Sequence, residues 1–554
     1  MGCMSDYFRA IAVDYDGTLT TGPRPEECVL SAIRLLRSAN RRVVLVTGRI
    51  LSELAGDFPD VYEHFDAIVA ENGAVLWHAG RARPLVAGIS TKLSRQLREL
   101  GIPARSGMVI LALEAVHDEA VRKQCVALGL DHQLIRNREA LMVLPAGISK
   151  ASGLLDALGQ LGVSHHSAIG IGDAENDIAL LEACEIGVAV ANAVPSLKER
   201  ADLVLNVHGG AAIADFLSKD VLSNLPGVQP LRHRVELGTA SDGSIASVPA
   251  SRIQVFVDGP TGAGKSYLTG LFAERLTEMR YTICVLDMEG EHAALGQLRG
   301  VLALGGRTPL PTPEEVARFV RHRFSSLVLD LSLREPALKH EYVRDVIEQL
   351  TRARQECGLP HWILIEEAHS VPADALERAR ASGSLCLVTY HPDWLPHSVL
   401  RGSDVQITLE PSTEARLRWV GNGRPPVSFR PAARGLVHVR HRRKYADSQV
   451  PYERGFVFRD ASGRVGKPAC SIAEFYVELA QIPRSVLAHH APRLDFSRWI
   501  RDVFQDKPLA DSVRRAEERF SAEDADGFRR FVRELVALRH ELNDEAVCVR
   551  QTAS

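Results

Sequence analysis

From Ile11 to about Leu217, short apolar runs that close on polar residues alternate with stretches of helical periodicity. IAVDYD, RRVVLVTG, FDAIVAENG and HSAIGIGD are the clearest of these runs. Continuous apolar segments of this length, separated by helices, predict strands of a parallel sheet covered on both faces, that is, a Rossmann-like α/β domain. Ligands gather outside the carboxyl ends of such strands, so the polar residues at the strand ends are the candidates for chemistry. From about Gly80 to Gly147 a separate set of helix and strand patterns with few candidate catalytic groups interrupts the alternation. It predicts an inserted α/β cap over residues 80–147 of a domain spanning 1–217.

A second βα series runs from about Leu225 to Glu410, with apolar strands in RIQVFVDG, YTICVLDMEG, SSLVLDLS, HWILIEEAH and SLCLVTYH. The polar, turn-rich SKDVLSNLPGVQP before it predicts a short linker at 218–224. After Pro411 the chain becomes Arg-rich and punctuated by proline. It then turns to amphipathic helical patterns from about Ser471. These predict a basic β/loop segment over 411–470 and a mainly helical module over 471–554.

Composition narrows the class without naming a function. The 554 residues are 45% hydrophobic and 24% charged, with a formal net charge of -3. That balance is globular and gives no global attraction to nucleic acid or anionic membrane. Nine scattered cysteines without a C-x-x-C pair suggest reduced thiols rather than disulfides or a zinc site. No apolar run reaches the ~18 residues of a membrane span, so a cytoplasmic protein without membrane contact is expected.

Four motifs in order then carry chemistry. In VDYDGTLT, Asp14 closes the first strand and can attack phosphorus, and Asp16, two positions on, can protonate the leaving oxygen and later activate water. In VTGR, Thr47 and Gly48 can receive phosphoryl oxygens. Lys150, in GISKASGL, can neutralise nucleophile and substrate alike. In GIGDAENDIALL, Asp173 and Asp177 supply carboxylates to a hard cation and Asn176 a neutral amide. One or two carboxylates with substrate phosphate is what Mg²⁺ prefers. Together the motifs resemble the haloacid dehalogenase superfamily, and AENGA at 70–74 is similar to its Cof-type branch. The resemblance implies Asp14 as nucleophile, Asp16 as acid and base, Thr47 and Lys150 as phosphate ligands, and a metal site drawing on Asp14, Asp16, Asp173 and Asp177. The small cap is similar to that of archaeal-type phosphoglycolate phosphatases, which implies a small phosphorylated substrate.

GPTGAGKS at 259–266 follows a strand and opens a helix, as a phosphate-binding P-loop requires. Gly259, Thr261, Gly262, Ala263 and Gly264 would cradle ATP phosphates, Lys265 reach the terminal ones and Ser266 hold Mg²⁺. HWILIEEAH ends in Glu366, a metal candidate standing where Asp is usual, and Glu367, a candidate for polarising water. Asp330 is a rival strand-end acid with a capping role as its alternative. Thr389 and His391 occupy a sensor-like strand end. With DMEGEH at 287–292, the domain resembles the HerA/FtsK branch of ATPases, whose members form rings on DNA, so a homo-oligomer through this domain comes into view.

Between Pro411 and Asp460 eleven lysines and arginines face four acids, with Trp419, Phe429, Tyr445 and Tyr452 among them. That is a local basis for nucleic-acid contact at 411–460; a solvated surface and contacts to a neighbouring subunit's ATP are the alternatives. The leading expectation is a bifunctional phosphatase and ATPase. A kinase–phosphatase pair and a nucleotide-gated DNA-binding ring that positions the phosphatase are its alternatives.

Overall fold

The computed structural model describes residues 7–542, except 138, 207–209, 261–262, 324, 335, 391, 411–413, 422, 437–445, 447–449, 451, 505 and 541. Thr261, Gly262, His391, Tyr445 and the basic residues at 440 and 442–444 therefore lie outside the described residues. Contacts divide the chain into two compact units, Met1–Met288 with His292–His438, and Val439–Ser554 with Glu289–Glu291.

The first unit holds two large sheets. In chain order the first contains β1 (Ala10–Asp14), β2 (Arg42–Val46), β3 (Ala67–Ala70), β4 (Val75–His78) and β5 (Arg81–Pro84). The inserted layer follows with β6 (Arg105–Ser106), β7 (Leu111–Glu114), β8 (His132–Asn137) and β9 (Ala140–Pro145). The chain then returns to the first sheet as β10 (Ala168–Gly172), β11 (Ile186–Ala189) and β12 (Leu203–Val204). Spatial order is β12-β11-β10-β1-β2-β3-β4-β5, parallel as far as β3 and closed by an antiparallel hairpin. Alternation along β1 and β2 sends Ile11, Val13, Val43 and Leu45 into one core, and Ala10, Ala12, Val44 and Val46 into another. Both faces are thus dry, which is why these strands read as unbroken apolar runs.

The inserted layer is a four-stranded antiparallel sheet, β6-β7-β9-β8. Leu111, Leu113, Leu141 and Val143 pack under Leu93, Leu97, Val121 and Cys125 of two helices. On its other face Ala112, Met142 and Leu144 join the core of the main sheet. Residues 217–221, where a linker began in the sequence reading, form a helical turn instead. Leu217, Val221 and Leu225 are buried there, because apolar positions at this spacing gain more by packing on the core than by solvation.

The second sheet contains β13 (Arg234–Ala240), β14 (Ile245–Pro249), β15 (Gln254–Asp258), β16 (Ile283–Asp287), β17 (Val301–Gly305), β18 (Ser326–Asp330), β19 (Trp362–Ile365), β20 (Ser384–Thr389), β21 (Val405–Leu409), β22 (Ala415–Trp419) and β23 (Val427–Pro431). Its order is β14-β13-β23-β22-β21-β15-β20-β19-β16-β18-β17. The strands from β21 to β17 are parallel, and β22 and β23 join antiparallel. The stretch read as a basic segment after 410 therefore begins as two strands of this sheet. Leu417 and Phe429 face the core, while Arg416, Arg418 and Arg430 alternate outward. Arg434 is consumed in a buried pair with Glu274 at 2.7 Å.

In the second unit, helices Ile472–Gln481, Arg484–His490, Asp495–Phe504, Lys507–Glu517 and Ala525–His540 close around Phe456, Phe475, Phe496 and Trp499. His490 accepts from the Arg459 N–H and pairs with Asp495, a structural role. Among the described residues no helix is long and apolar enough to cross a membrane.

Candidate functional site

The carboxyl ends of β1, β2 and β10 meet where the strand order reverses, and the helix Lys150–Leu161 enters beside them. Ser149 and Ser152 cap that helix reciprocally, and it ends at left-handed Gly162. Lys150 is its first residue and is 2% exposed. A cation at a helix N-terminus opposes the helix dipole, so local stability does not explain this placement. The lysine Nζ donates to Asp14 Oδ1 at 2.6 Å and to Asp177 Oδ1 at 2.5 Å. Asp177 Oδ2 in turn accepts the backbone N–H groups of Asp173 and Ala174.

Burial pushes the Asp14 carboxyl well above the usual carboxylate range, with Asp177 and Asp173 adding to the rise and Lys150 opposing it. Burial also disfavours the Lys150 ammonium, but Asp14 and Asp177 outweigh it and raise its pKa. Asp14, Asp173 and Asp177 each bring a carboxylate oxygen within 4.8 Å of the others. Three buried carboxylates against one buried ammonium leave negative charge uncompensated, and an all-oxygen donor set suits a hard divalent cation. The Asn176 Oδ1 beside them is buried without a hydrogen bond among the described residues, while its amide donates to Asn72. The residues present thus fit Mg²⁺. Gly17, at φ +84°, is required here: a Cβ would stand 2.2 Å from Asp173 Oδ2.

Thr47 is fully buried at the end of β2, and its hydroxyl accepts the Arg49 N–H. Gly48 follows beneath Met142 of the inserted layer. Asp16 does not join the carboxylate cluster. Its side chain is about half exposed and receives a two-armed bond from Arg49, Nε to Oδ2 at 2.9 Å and Nη2 to Oδ1 at 2.6 Å.

The second sheet carries its own constellation. Gly259 follows β15, and Gly264, at φ +102°, leads into the helix Lys265–Glu278. Lys265 Nζ donates to the carbonyls of Gly259 and Pro260, and Ala263 and Ser266 are half-buried around it. β20 lies between β15 and β19, with Asp258 opposite Thr389. The P-loop, Thr389 and the glutamates after β19 therefore share one sheet edge. Glu366 is bonded to His292 Nε2 at 2.8 Å, and Glu367 sits at φ +48°. His369 Nδ1 lies 2.9 Å from the Thr389 hydroxyl and 3.5 Å from Glu367 Oε2. Asp330 caps its own turn by accepting the Ser332 N–H.

Comparison with known proteins matches this layout. Residues 119–217 match the family model for haloacid dehalogenase-like hydrolases. A phosphoglycolate phosphatase of Archaeoglobus fulgidus is 32% identical over 218 residues, covering 38% of this chain and 95% of its own. The chain belongs to the haloacid dehalogenase-like hydrolases. A phosphoglycolate phosphatase of Methanothermobacter thermautotrophicus is 30% identical over 234 residues, covering 38% of this chain and 98% of its own. A solved haloacid dehalogenase-like hydrolase from Bacteroides thetaiotaomicron is 20% identical, covering 37% of this chain and 98% of its own, with a TM-score of 0.33. Residues 255–356 match the central domain of helicase HerA. A haloacid dehalogenase-like phosphatase domain is thus fused to a HerA-type ATPase domain.

Three residues inside the motifs of the haloacid dehalogenase-like domain take roles that the motifs alone do not assign. Arg49 holds Asp16, and Asn72 holds Asn176. Glu71, fully buried at φ +53°, accepts the backbone N–H groups of Met108, Val109 and Ile110 from the inserted layer. Their sequence signal was position: Arg49 closes VTGR, and Glu-Asn-Gly stands at a strand end.

Proposed function

We propose that the chain is a bifunctional enzyme, a magnesium-dependent hydrolase of a small phosphomonoester joined to an ATP hydrolase. The observation that carries the first activity is the pair of hydrogen bonds that Lys150 donates to Asp14 and Asp177 at a sheet edge where Asp173 converges. Asp14 attacks phosphorus while Asp16 gives a proton to the departing alcohol oxygen, leaving an aspartyl-phosphate. Asp16 then takes a proton from water, whose oxygen attacks phosphorus and releases phosphate and the Asp14 carboxylate. Arg49 holds Asp16 between these transfers. Mg²⁺ at Asp14, Asp173 and Asp177 would supply positive charge to the phosphoryl oxygens, and Thr47, Gly48, Lys150 and Asn176 orient them.

The inserted layer serves as the cap over this site. The relatives' name, phosphoglycolate phosphatase, supports a small phosphorylated acid as substrate. In the second domain Lys265 and Ser266 would hold ATP phosphates and magnesium, Glu366 would support the metal, and Glu367 would direct water, with Thr389 and His369 beside it. Unpaired thiols at all seven described cysteines support a reducing cytoplasm.

The test is magnesium-dependent phosphate release from p-nitrophenyl phosphate and from 2-phosphoglycolate by wild type and Asp14→Asn. Loss of turnover in the variant is expected, and equal rates would sink the phosphatase reading.

A further inference from the structure

Where the phosphatase and ATPase sheets abut within the first unit, one buried carboxylate gathers an unusual set of partners. Glu185, immediately before β11, is fully buried. Its Oε2 lies 2.9 Å from His166 Nδ1, 3.1 Å from His233 Nδ1 and 2.7 Å from the Tyr281 hydroxyl. Its Oε1 accepts the Ser251 hydroxyl. His166 comes from the turn before β10, His233 from the segment entering β13, and Tyr281 and Ser251 from the ATPase side.

The protons on these groups are constrained. His166 Nε2 lies 2.9 Å from the carbonyl oxygen of Met279, which can only accept, so Nε2 carries the hydrogen. In a neutral ring the Nδ1 lone pair then points at a carboxylate that also only accepts. Either a proton, which makes His166 an imidazolium, or a metal ion must lie between them. The neighbouring His361 is committed elsewhere. His361 accepts the Thr282 N–H at Nδ1, leaving Nε2 to face the Ser164 hydroxyl. The nearby Arg232 is engaged by Asp202 at 2.6 Å.

We infer that His166, Glu185 and His233 form a binding site for a divalent transition-metal ion of the zinc class, clasping the phosphatase domain to the ATPase domain. Two imidazole nitrogens and one carboxylate oxygen are a zinc-type donor set, and all three ligand atoms already lie within 4.8 Å of one another. Metal–ligand bonds of ~2.0–2.1 Å place tetrahedral ligands roughly 3.3 Å apart. The present contacts of 2.9 and 3.1 Å need to open by only a few tenths of an ångström. The outer shell is already in place. A histidine that binds metal through one nitrogen commonly gives its other N–H to a backbone carbonyl, as His166 gives to Met279, and Ser251 orients the carboxylate. Stacking of His166 on Tyr281, with ring centroids 3.7 Å apart, fixes the imidazole plane. This site is separate from the oxygen-only cluster at Asp14, which suits Mg²⁺.

The test strips the full-length chain with chelator and titrates it with Co²⁺ in excess Mg²⁺, reading visible d–d absorption, with zinc content by mass spectrometry. One equivalent of Co²⁺ with intense tetrahedral bands is expected in wild type and in Asp14→Asn. The bands should vanish in Glu185→Gln and in His233→Ala, the latter a partly exposed position that spares the fold. Ser251→Ala should bind about 10–100-fold more weakly. Absence of tetrahedral bands in wild type, or their survival in a folded His233→Ala, overturns the site and leaves an imidazolium–carboxylate bridge in its place.

Discussion

Lys150 stands at a position that helix energetics disfavour, inside a core that disfavours charge, and is held there by its ion pairs with Asp14 and Asp177. Such a placement is intelligible as chemistry. The ammonium restrains two of three converging carboxylates and presents positive charge where phosphoryl oxygens arrive. Lys150→Met should therefore lower kcat on p-nitrophenyl phosphate by about 10²–10³, the size of losing one preorganised electrostatic group. It should also destabilise the magnesium-free chain by about 3–5 kcal/mol, because two buried carboxylates lose their partner. Paired kinetic and thermal-melting measurements with and without Mg²⁺ check this: a variant with wild-type kcat contradicts the role. Arg49 acts on a neighbouring problem. Its guanidinium stacks on Tyr15 and fixes Asp16 from two sides, holding near the site a carboxylate that would otherwise swing in solvent.

At the scale of elements, the Glu-Asn-Gly turn after β3 joins the main sheet to the inserted layer. Consecutive left-handed residues at Glu71 and Asn72 aim one side chain at three backbone N–H groups of the layer and the other at Asn176. Gly107 is needed beside them, since a Cβ would lie 2.5 Å from the Glu71 carboxylate. Glu71→Ala strands these buried donors and should cost about 2–3 kcal/mol. By loosening the layer it should raise KM for a small substrate about tenfold with a smaller change in kcat. Kinetics on 2-phosphoglycolate separate the two constants, and unchanged KM with unchanged melting contradicts the latch.

This element also shows where sequence reading stops. Asp14, Thr47 and Asp173 were legible because parallel strands deliver their terminal residues to one edge, and Lys150 and Asp177 because each stands where a helix begins beside that edge. The task of Glu71 was not, because its partners lie 37 to 39 residues away and are backbone groups without a sequence signature. That the β/loop segment after 410 would extend the ATPase sheet as β22 and β23 was hidden for a different reason: Arg416, Arg418 and Arg430 on the outward face give it a basic texture of its own, and its pairing with β21 and β13 has no sequence signature. The Glu185 cluster draws on five separated segments and could not be assembled from spacing.

At the scale of the whole first unit, two parallel sheets each present a phosphate-handling edge, and the seam between their domains is dry and polar together. Arg9 donates to the Arg354 carbonyl across it, Arg354 binds the carbonyls of Pro360, His361 and Ser384, and His361 meets Ser164. Buried polar contacts of this kind lose their partners if the halves part, so the seam favours one fixed arrangement. A fixed seam gives each site its own rigid support, and the Lys150 cluster is built on β1, β10 and the helix Lys150–Leu161 while the P-loop follows β15 of the other sheet. Lys265→Ala should then reduce ATP turnover at least about 100-fold. Phosphate release from p-nitrophenyl phosphate should stay within about twofold, the additivity expected of sites built on separate sheets. Both assays belong on the same full-length preparation, with and without ATP. If the phosphatase rate falls together with ATP turnover, the seam transmits nucleotide state rather than only holding the domains, and the independence argued from the two separate sheets is wrong.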